Sequence, residues 1–266
     1  MLSGIRNKIK RRIFKDSPDN IKTPVSPIVL SRGTWLFVVI VPLFLWAVTL
    51  LLWAQRDMDR LILAGHNAMR LNKAVVGVFR SASAYGMSFT IFIFLIYLAL
   101  STKFKQLKGV YTVYLLIIFS YGLGGITGDL MKEVFDRPRP FVEYPAQITS
   151  LSQPPTPSLP SGHATKSMAL AIPFVVFVSN VPRWNMLFKA AVLLAAMAVG
   201  YARIVLGVHY VSDVLAGMAV AIGCLPLEVW ATNKICKRIT RERLNVLIKV
   251  WAAILFFLML YLLKLS

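Results

Sequence analysis

Seven apolar runs divide this chain, at roughly 35–54, 81–100, 110–130, 165–181, 187–203, 211–232 and 246–264. A helix crosses a bilayer in about 20 residues, and the runs approach that length, the fourth and fifth being the shortest. Within lipid a chain must satisfy its own backbone N–H and C=O groups, which leaves helices or closed barrels. Runs this long predict an all-α fold, a polytopic membrane helical bundle. Only 15% of the 266 residues are charged and 57% are hydrophobic, whereas a soluble domain carries about 25% charged residues. A mean hydropathy of +0.67 agrees.

The formal charge is nevertheless +19, from 30 Lys+Arg against 11 Asp+Glu. In a soluble protein this balance would point to nucleic acid. Here the basic residues cluster between the apolar runs, the pattern of cytoplasmic loops beside anionic headgroups, so no nucleic-acid partner is expected. Residues 1–34 form a basic tail (Arg6, Lys8, Lys10, Arg11, Arg12, Lys15, Lys22 and Arg32), with a flexible stretch over Ser17–Pro27. Lys103, Lys105, Lys108, Arg183, Lys189 and the cluster Lys234–Arg243 fall on the same side. The opposite side has Arg56, Arg60, Arg70, Lys73 and Arg80, diluted by Asp57 and Asp59. This bias places the amino terminus in the cytoplasm and leaves 35–266 as the membrane-embedded domain. The first run exceeds a signal-peptide h-region and reads as an uncleaved anchor.

Leu61, Ile62, Ala64, Ala68, Met69 and Leu71 give the segment Gln55–Arg80 a partial helical stripe, which suggests a helix lying on the membrane surface. His66 has no charged partner at helical spacing there and is expected to be solvated or interfacial. Tyr121–Gly128 (YGLGGITG) offers small residues for close helix packing; it lies in a span with no preceding strand, so it does not fit a nucleotide loop. Cys224 and Cys236 fall in an apolar run and a basic loop, and no bridge between them is expected.

Three short stretches carry the chemistry: Lys132–Pro140 (KEVFDRPRP), Pro160–His163 (PSGH) and Arg203–Asp213 (RIVLGVHYVSD). The topology puts all three on the non-cytoplasmic face. Lys132 and Arg139, the latter between Pro138 and Pro140, suit a phosphate held on a stiff turn, or they anchor the span in the headgroups. Ser161 and Gly162 open the fourth span, where backbone N–H groups favour an anion, or they form an ordinary turn and cap. His209 and Asp213 are four residues apart and share a helix face. A carboxylate on one imidazole nitrogen raises the basicity of the other, unless the pair is purely structural. Asp129, Glu133 and Asp136 surround the first stretch, and one of them is expected to pair with Lys132 or Arg137.

The spacings Lys-x6-Arg-Pro, Pro-Ser-Gly-His and Arg-x5-His-x3-Asp, in this order, resemble the type 2 phosphatidic acid phosphatase (PAP2) superfamily of membrane lipid phosphatases and phosphotransferases. The resemblance covers Lys132 to Asp213 and implies a six-helix core. The seventh run, Val246–Leu263, lies outside that core, and Ala202 stands where the family often has Ser. The resemblance implies that His209 attacks phosphorus, Asp213 orients it, and His163 protonates the leaving oxygen and then activates water. Lys132, Arg139, Ser161, Gly162 and Arg203 would hold the phosphoryl oxygens, with no metal and no other cofactor. Arg137 lies outside the matched positions and is not expected to touch substrate. The implied function is hydrolysis of a membrane lipid phosphate, with phosphatidylglycerol phosphate, phosphatidate and undecaprenyl pyrophosphate as candidates. A phosphotransferase acting on an acceptor such as lipid A is the alternative, and a non-catalytic anion transporter is least favoured. The implied partners are a lipid phosphate and the bilayer; the implied location is a bacterial inner membrane with the site on the periplasmic side.

Overall fold

The computed structural model describes residues 27–103, 111–178 and 183–265. The expectations for the tail up to residue 26 and for Lys105 and Lys108 lie outside the described residues. Two helices open the described residues, α1 (Arg32–Ala54) and α2 (Arg56–Asn67), followed by a single 3-10 turn over Ala68–Leu71. Then come α3 (Lys73–Lys103), α4 (Tyr111–Phe135), the short α5 (Pro140–Glu143), α6 (Gly162–Phe177) and α7 (Asn185–Val205). The described chain ends with α8 (Val211–Gly223), α9 (Leu225–Cys236) and α10 (Arg241–Leu265).

Local chemistry explains the boundaries that differ from the apolar runs. Helix α3 begins eight residues before its run because Asn72 caps it, its Oδ1 accepting from the Ala74 and Val75 N–H groups at 3.0 and 3.3 Å; the cap satisfies donors that would otherwise be orphaned. The sixth run is two helices, broken at Cys224 just ahead of Pro226. A proline there cannot donate the hydrogen bond that would continue α8. Helix α4 stops at Asp136, whose φ of 40° is left-handed, and Pro138 bars its resumption.

Five segments are long and apolar enough to cross a membrane: Arg32–Ala54, Lys73–Ser101, Tyr111–Glu143, Asn185–Val205 and Val211–Cys236. With the shorter α6 and the flanking α10 they form a helical bundle among the described residues, and the chain is an integral membrane protein. Helix α6 has only 16 residues yet is central, packing on α4, α7 and α8. Its approach to α4 uses the small residues foreseen there: a Cβ on Gly124 would sit 3.4 Å from Ala169 Cβ, and one on Gly128 3.5 Å from Thr165 Oγ1. The main core includes an aromatic cluster, with the Tyr97 and Phe94 ring centroids 4.9 and 5.2 Å from that of Phe174. A smaller cluster of Leu63, Ile148, Ala164, Ile204, Tyr210 and Val214 lies beneath the three motifs. Helix α10 flanks α3 and α4, away from the motif-bearing helices α6 and α8. Cys224 and Cys236 are both free thiols.

Helix α2 forms where a surface helix was expected, but its faces are assigned differently. Of the expected apolar stripe, Leu61, Ala68, Met69 and Leu71 are exposed. The buried face, four residues apart, is Asp59, Leu63 and Asn67. Two polar side chains displace the apolar ones because each finds partners beneath the helix, and a fully satisfied polar group tolerates burial. His66 is tied down: its Nδ1 donates to the Ile62 carbonyl at 2.7 Å, and its ring meets Tyr201 edge-on at 5.5 Å.

Candidate active site

The third motif is positioned by a turn between α7 and α8. Gly207 sits at φ 72°, a conformation that costs glycine little. A Cβ there would also lie 2.6 Å from the Thr149 carbonyl oxygen and 2.8 Å from Asn67 Nδ2. Asn67 holds both flanks of this turn, donating to the carbonyls of Thr149 and Val205 at 3.1 and 2.9 Å. Helix α8 then starts at Val211, and Asp213 in its first turn accepts from the Tyr210 N–H at 2.9 Å. A carboxylate here also gains from the helix dipole. The α8–α6 contact is very close: a Cβ on Gly217 would be 2.7 Å from the Ser161 carbonyl oxygen.

His209 is 2% exposed and Asp213 fully buried. His209 Nδ1 donates to Asp213 Oδ2 at 3.4 Å, and Arg139 Nη1 donates to His209 Nε2 at 3.2 Å. A guanidinium can only donate and a carboxylate can only accept. The ring is therefore the neutral tautomer with its proton on Nδ1 and its lone pair on Nε2, where it accepts from Arg139. Burial pushes the His209 pKa down to about 4; the Asp213 hydrogen bond opposes the shift, and the charges of Arg139 and Arg203 add to it. The lone pair is then available throughout the neutral range. The three histidines make this measurable: NMR of histidine-labelled protein should show one ring titrating near pH 4. A His209 midpoint near the ordinary 6.5 would overturn the dry, cation-flanked environment.

Arg139 is less free than a phosphate clamp would be. Nε donates to the Thr156 carbonyl at 2.7 Å, Nη2 to Thr156 Oγ1 at 3.0 Å and to the Pro157 carbonyl at 3.4 Å, and Nη1 to the Val208 carbonyl at 2.9 Å. It thus stitches the 144–160 loop to the His209 turn, and only the N–H aimed at His209 Nε2 can pass to an anion. Arg203 differs. Its Nη1 donates to Ser83 Oγ on α3 at 2.8 Å, while Nε is buried without a hydrogen-bond partner. This buried donor is unspent within the protein and can be given to an anion.

The first and second motifs meet at the start of α6. Lys132 Nζ would be 3.3 Å from a Cβ on Gly162, so the absence of a side chain there lets the ammonium approach the helix N-terminus. Lys132 also pairs with Asp129 at 3.4 Å, and Asp129 reaches Lys166 at 3.8 Å. Ser161 is fully buried. Its Oγ caps α6 by accepting from the Ala164 N–H at 3.5 Å, and its N–H donates to the Asp213 carbonyl at 2.9 Å. The serine thus acts as cap and staple, with its hydroxyl turned to the backbone. His163 is half-buried and lies within electrostatic reach of Arg203, His209, Lys166 and Lys132. All eight residues singled out from the motifs are therefore gathered at one end of α4, α6, α7 and α8.

The acid expected to pair beside the first motif is Asp129, on Lys132, and Arg137 is partnered elsewhere. Its Nη1 donates to Asp213 Oδ1 at 2.9 Å and Ser212 Oγ at 2.6 Å, and its Nη2 to Asp59 Oδ2 at 3.0 Å. The guanidinium lies 3.9 Å from the centroid of the Tyr210 ring, and Tyr210 donates its hydroxyl proton to Glu143 Oε2 at 2.7 Å. Asp59 and Ser212 were not singled out in the sequence. The one signal in the sequence was an acidic residue four positions before the apolar Leu63.

Residues 113–237 match the family model of the PAP2 superfamily. The chain is 35% identical over 107 residues to a lipid A 1-phosphatase of Rhizobium etli, covering 39% of this chain and 41% of that protein. It is 27% identical over 123 residues to an undecaprenyl-diphosphatase of Sulfolobus acidocaldarius, covering 46% and 57%. The chain thus spans about half the length of the curated relatives it matches. The fold is similar to the crystal structure of a transmembrane PAP2 type phosphatidylglycerolphosphate phosphatase from Bacillus subtilis, with a TM-score of 0.51 and 22% identity over 79% of this chain and 96% of that one.

Proposed function

With residues 113–237 assigned to the PAP2 superfamily, we propose that this chain hydrolyses a membrane lipid phosphate through a phosphohistidine intermediate. The observation that carries this reading is the orientation of His209. Its lone pair on Nε2 is directed at Arg139, with Arg203 and His163 within electrostatic reach, while Asp213 holds the proton on Nδ1.

In the first step Nε2 attacks phosphorus and the bond to the leaving oxygen breaks. His163 gives its proton to that oxygen; a phosphate dianion beside it favours the protonated imidazole. Arg203 Nε, the Arg139 N–H now directed at His209, Lys132 Nζ and the first N–H groups of α6 meet the charge on the phosphoryl oxygens. In the second step His163 takes a proton from water, the oxygen attacks phosphorus, and the P–Nε2 bond breaks to release inorganic phosphate. Side-chain cations supply the electrostatic stabilisation, so turnover should persist in excess chelator.

The lipid character of the substrate is supported by a groove of about 480 Å3 between α3 and α7. Tyr85, Gly86 and Phe89 face Ala191, Leu194 and Ala198 across it. The same two helices are joined by the Ser83–Arg203 hydrogen bond, roughly one and a half helical turns from Ala198. A phosphate at Arg203 would therefore leave an acyl chain beside this groove. On the positive-inside reading the headgroup arrives from the non-cytoplasmic face.

The test is phosphate release from a panel of lipid phosphates in chelator, with and without a candidate acceptor lipid. Release without an acceptor and without added metal supports the hydrolase. A strict requirement for a divalent metal would sink the mechanism, and transfer only to the acceptor would make the chain a phosphotransferase.

A further inference from the structure

Beneath the reacting residues lies a buried chain of alternating charge. Asp59 on α2, Arg137 after α4 and Asp213 on α8 are 0%, 5% and 0% exposed. They run in sequence from the surface helix to the nucleophile's partner: Asp59 Oδ2 to Arg137 Nη2 at 3.0 Å, Arg137 Nη1 to Asp213 Oδ1 at 2.9 Å, and Asp213 Oδ2 to His209 Nδ1 at 3.4 Å. Ser212 ties the two ends: its Oγ donates to Asp59 Oδ2 and its N–H to Asp59 Oδ1. The guanidinium uses separate nitrogens for the two carboxylates, a geometry that a lysine point charge cannot reproduce.

We propose that Asp59 and Arg137 are positioning residues for the reaction, holding Asp213 in the orientation that keeps His209 aimed at phosphorus. Neither touches substrate. Arg137 occupies one carboxylate oxygen of Asp213, so that only the other is left for the histidine and the Tyr210 N–H. Asp59 in turn fixes the rotation of the guanidinium and partly neutralises it, which moderates how far Arg137 quenches Asp213. The element that supplies Asp59 is the surface helix. Its outer face, with Met58 and Leu61 exposed, suits the headgroup boundary, and its inner face also holds the His209 turn through Asn67. Docking of α2 and alignment of the nucleophile are therefore one structural event.

The proposal rests on the reading of His209 as nucleophile, and the experiment separates the two. Arg137→Gln and Asp59→Asn are made in the full chain beside His209→Ala, and turnover, KM and the His209 NMR titration are measured. Both variants should lower kcat by roughly 100-fold, the scale for a displaced reacting group, with KM within about twofold. The titrations should move in opposite directions. Removing Arg137 leaves Asp213 fully charged, so the His209 midpoint rises; removing the Asp59 charge leaves Arg137 stronger against Asp213, so it falls. Arg137→Lys should recover turnover only in part, since one ammonium cannot serve both carboxylates in this geometry. A merely structural role would loosen the site in both variants and send both midpoints toward the ordinary value. That outcome, or wild-type kcat in Asp59→Asn while His209→Ala is inactive, would overturn the positioning role. Activity in His209→Ala would instead remove the nucleophile reading beneath it. Should Arg137→Gln fail to fold, the near-isosteric Asp59→Asn and the charge-retaining Arg137→Lys still decide the matter.

Discussion

Replacing His209 with alanine is expected to abolish lipid phosphate hydrolysis, by roughly 10⁴-fold or more, because nucleophilic catalysis loses its attacking atom. The fold should survive. His209 is held by two side-chain contacts, at 3.2 and 3.4 Å, while the turn that carries it is kept by Gly207, Asn67 and the Arg139 bond to the Val208 carbonyl. The variant should therefore still bind the lipid phosphate with a KM or Kd close to wild type. Rapid acid-free quenching of wild-type protein with labelled substrate should trap phosphate on a histidine, and the variant should trap none. Substantial turnover in His209→Ala would show that water attacks phosphorus directly.

His163→Ala should give the second largest loss, and its size should depend on the leaving group. With a lipid substrate the departing alkoxide needs a proton, so the first step slows by about 10²–10⁴-fold, the usual range for general acid catalysis. An aryl phosphate departs without that help. The variant should then phosphorylate His209 quickly and stall, because no base activates water for the second step. The expected record is a burst of one equivalent of the aryl alcohol followed by slow turnover, with phosphoenzyme accumulating. Equal slowing for both substrate types, with no accumulation, would assign His163 a binding role. The half-buried position of His163, within reach of Lys132, Lys166 and Arg203, would then be read as part of the phosphate pocket.

These expectations could be framed from spacing because the motif residues sit at element ends, where chain geometry is most constrained. Asp213 four residues after His209 is a statement about one helical turn. Gly162 after Ser161 is a statement about a helix start. The small residues from Gly124 to Gly128 announce a close helix contact before the partner, α6, is known. The length of α3 was less legible, because the charges of Lys73 and Arg80 break its apolar pattern, and it took Asn72 as a cap to show that the helix continues. The break at Cys224 was hidden within a long hydrophobic run, which conceals a helix end that Pro226 alone marks.

Arg139 and Arg137 show where local reasoning gave out. Both lie in one Pro-flanked stretch, both are cations, and neither carries a label saying which will face a phosphate. In the fold Arg139 spends most of its donors on backbone carbonyls of the 144–160 loop, and Arg137 spends its own on two buried carboxylates. Asp59 is the sharper case. Its neighbour Asp57 makes a surface pair with Arg60 and is 83% exposed at the side chain, whereas Asp59, two residues on, is wholly buried.

The sequence by itself determined that this chain forms a membrane bundle of helices and which eight residues gather at one end of it. Both are matters of short-range pattern: the length of apolar runs against the thickness of a bilayer, and fixed spacings within single turns. Only the tertiary structure decided how the gathered residues divide their work. A buried charge must find its partner, and Asp59 and Arg137 find theirs across 78 residues of chain. That pairing depends on how α2, α4 and α8 pack together, which no local spacing records.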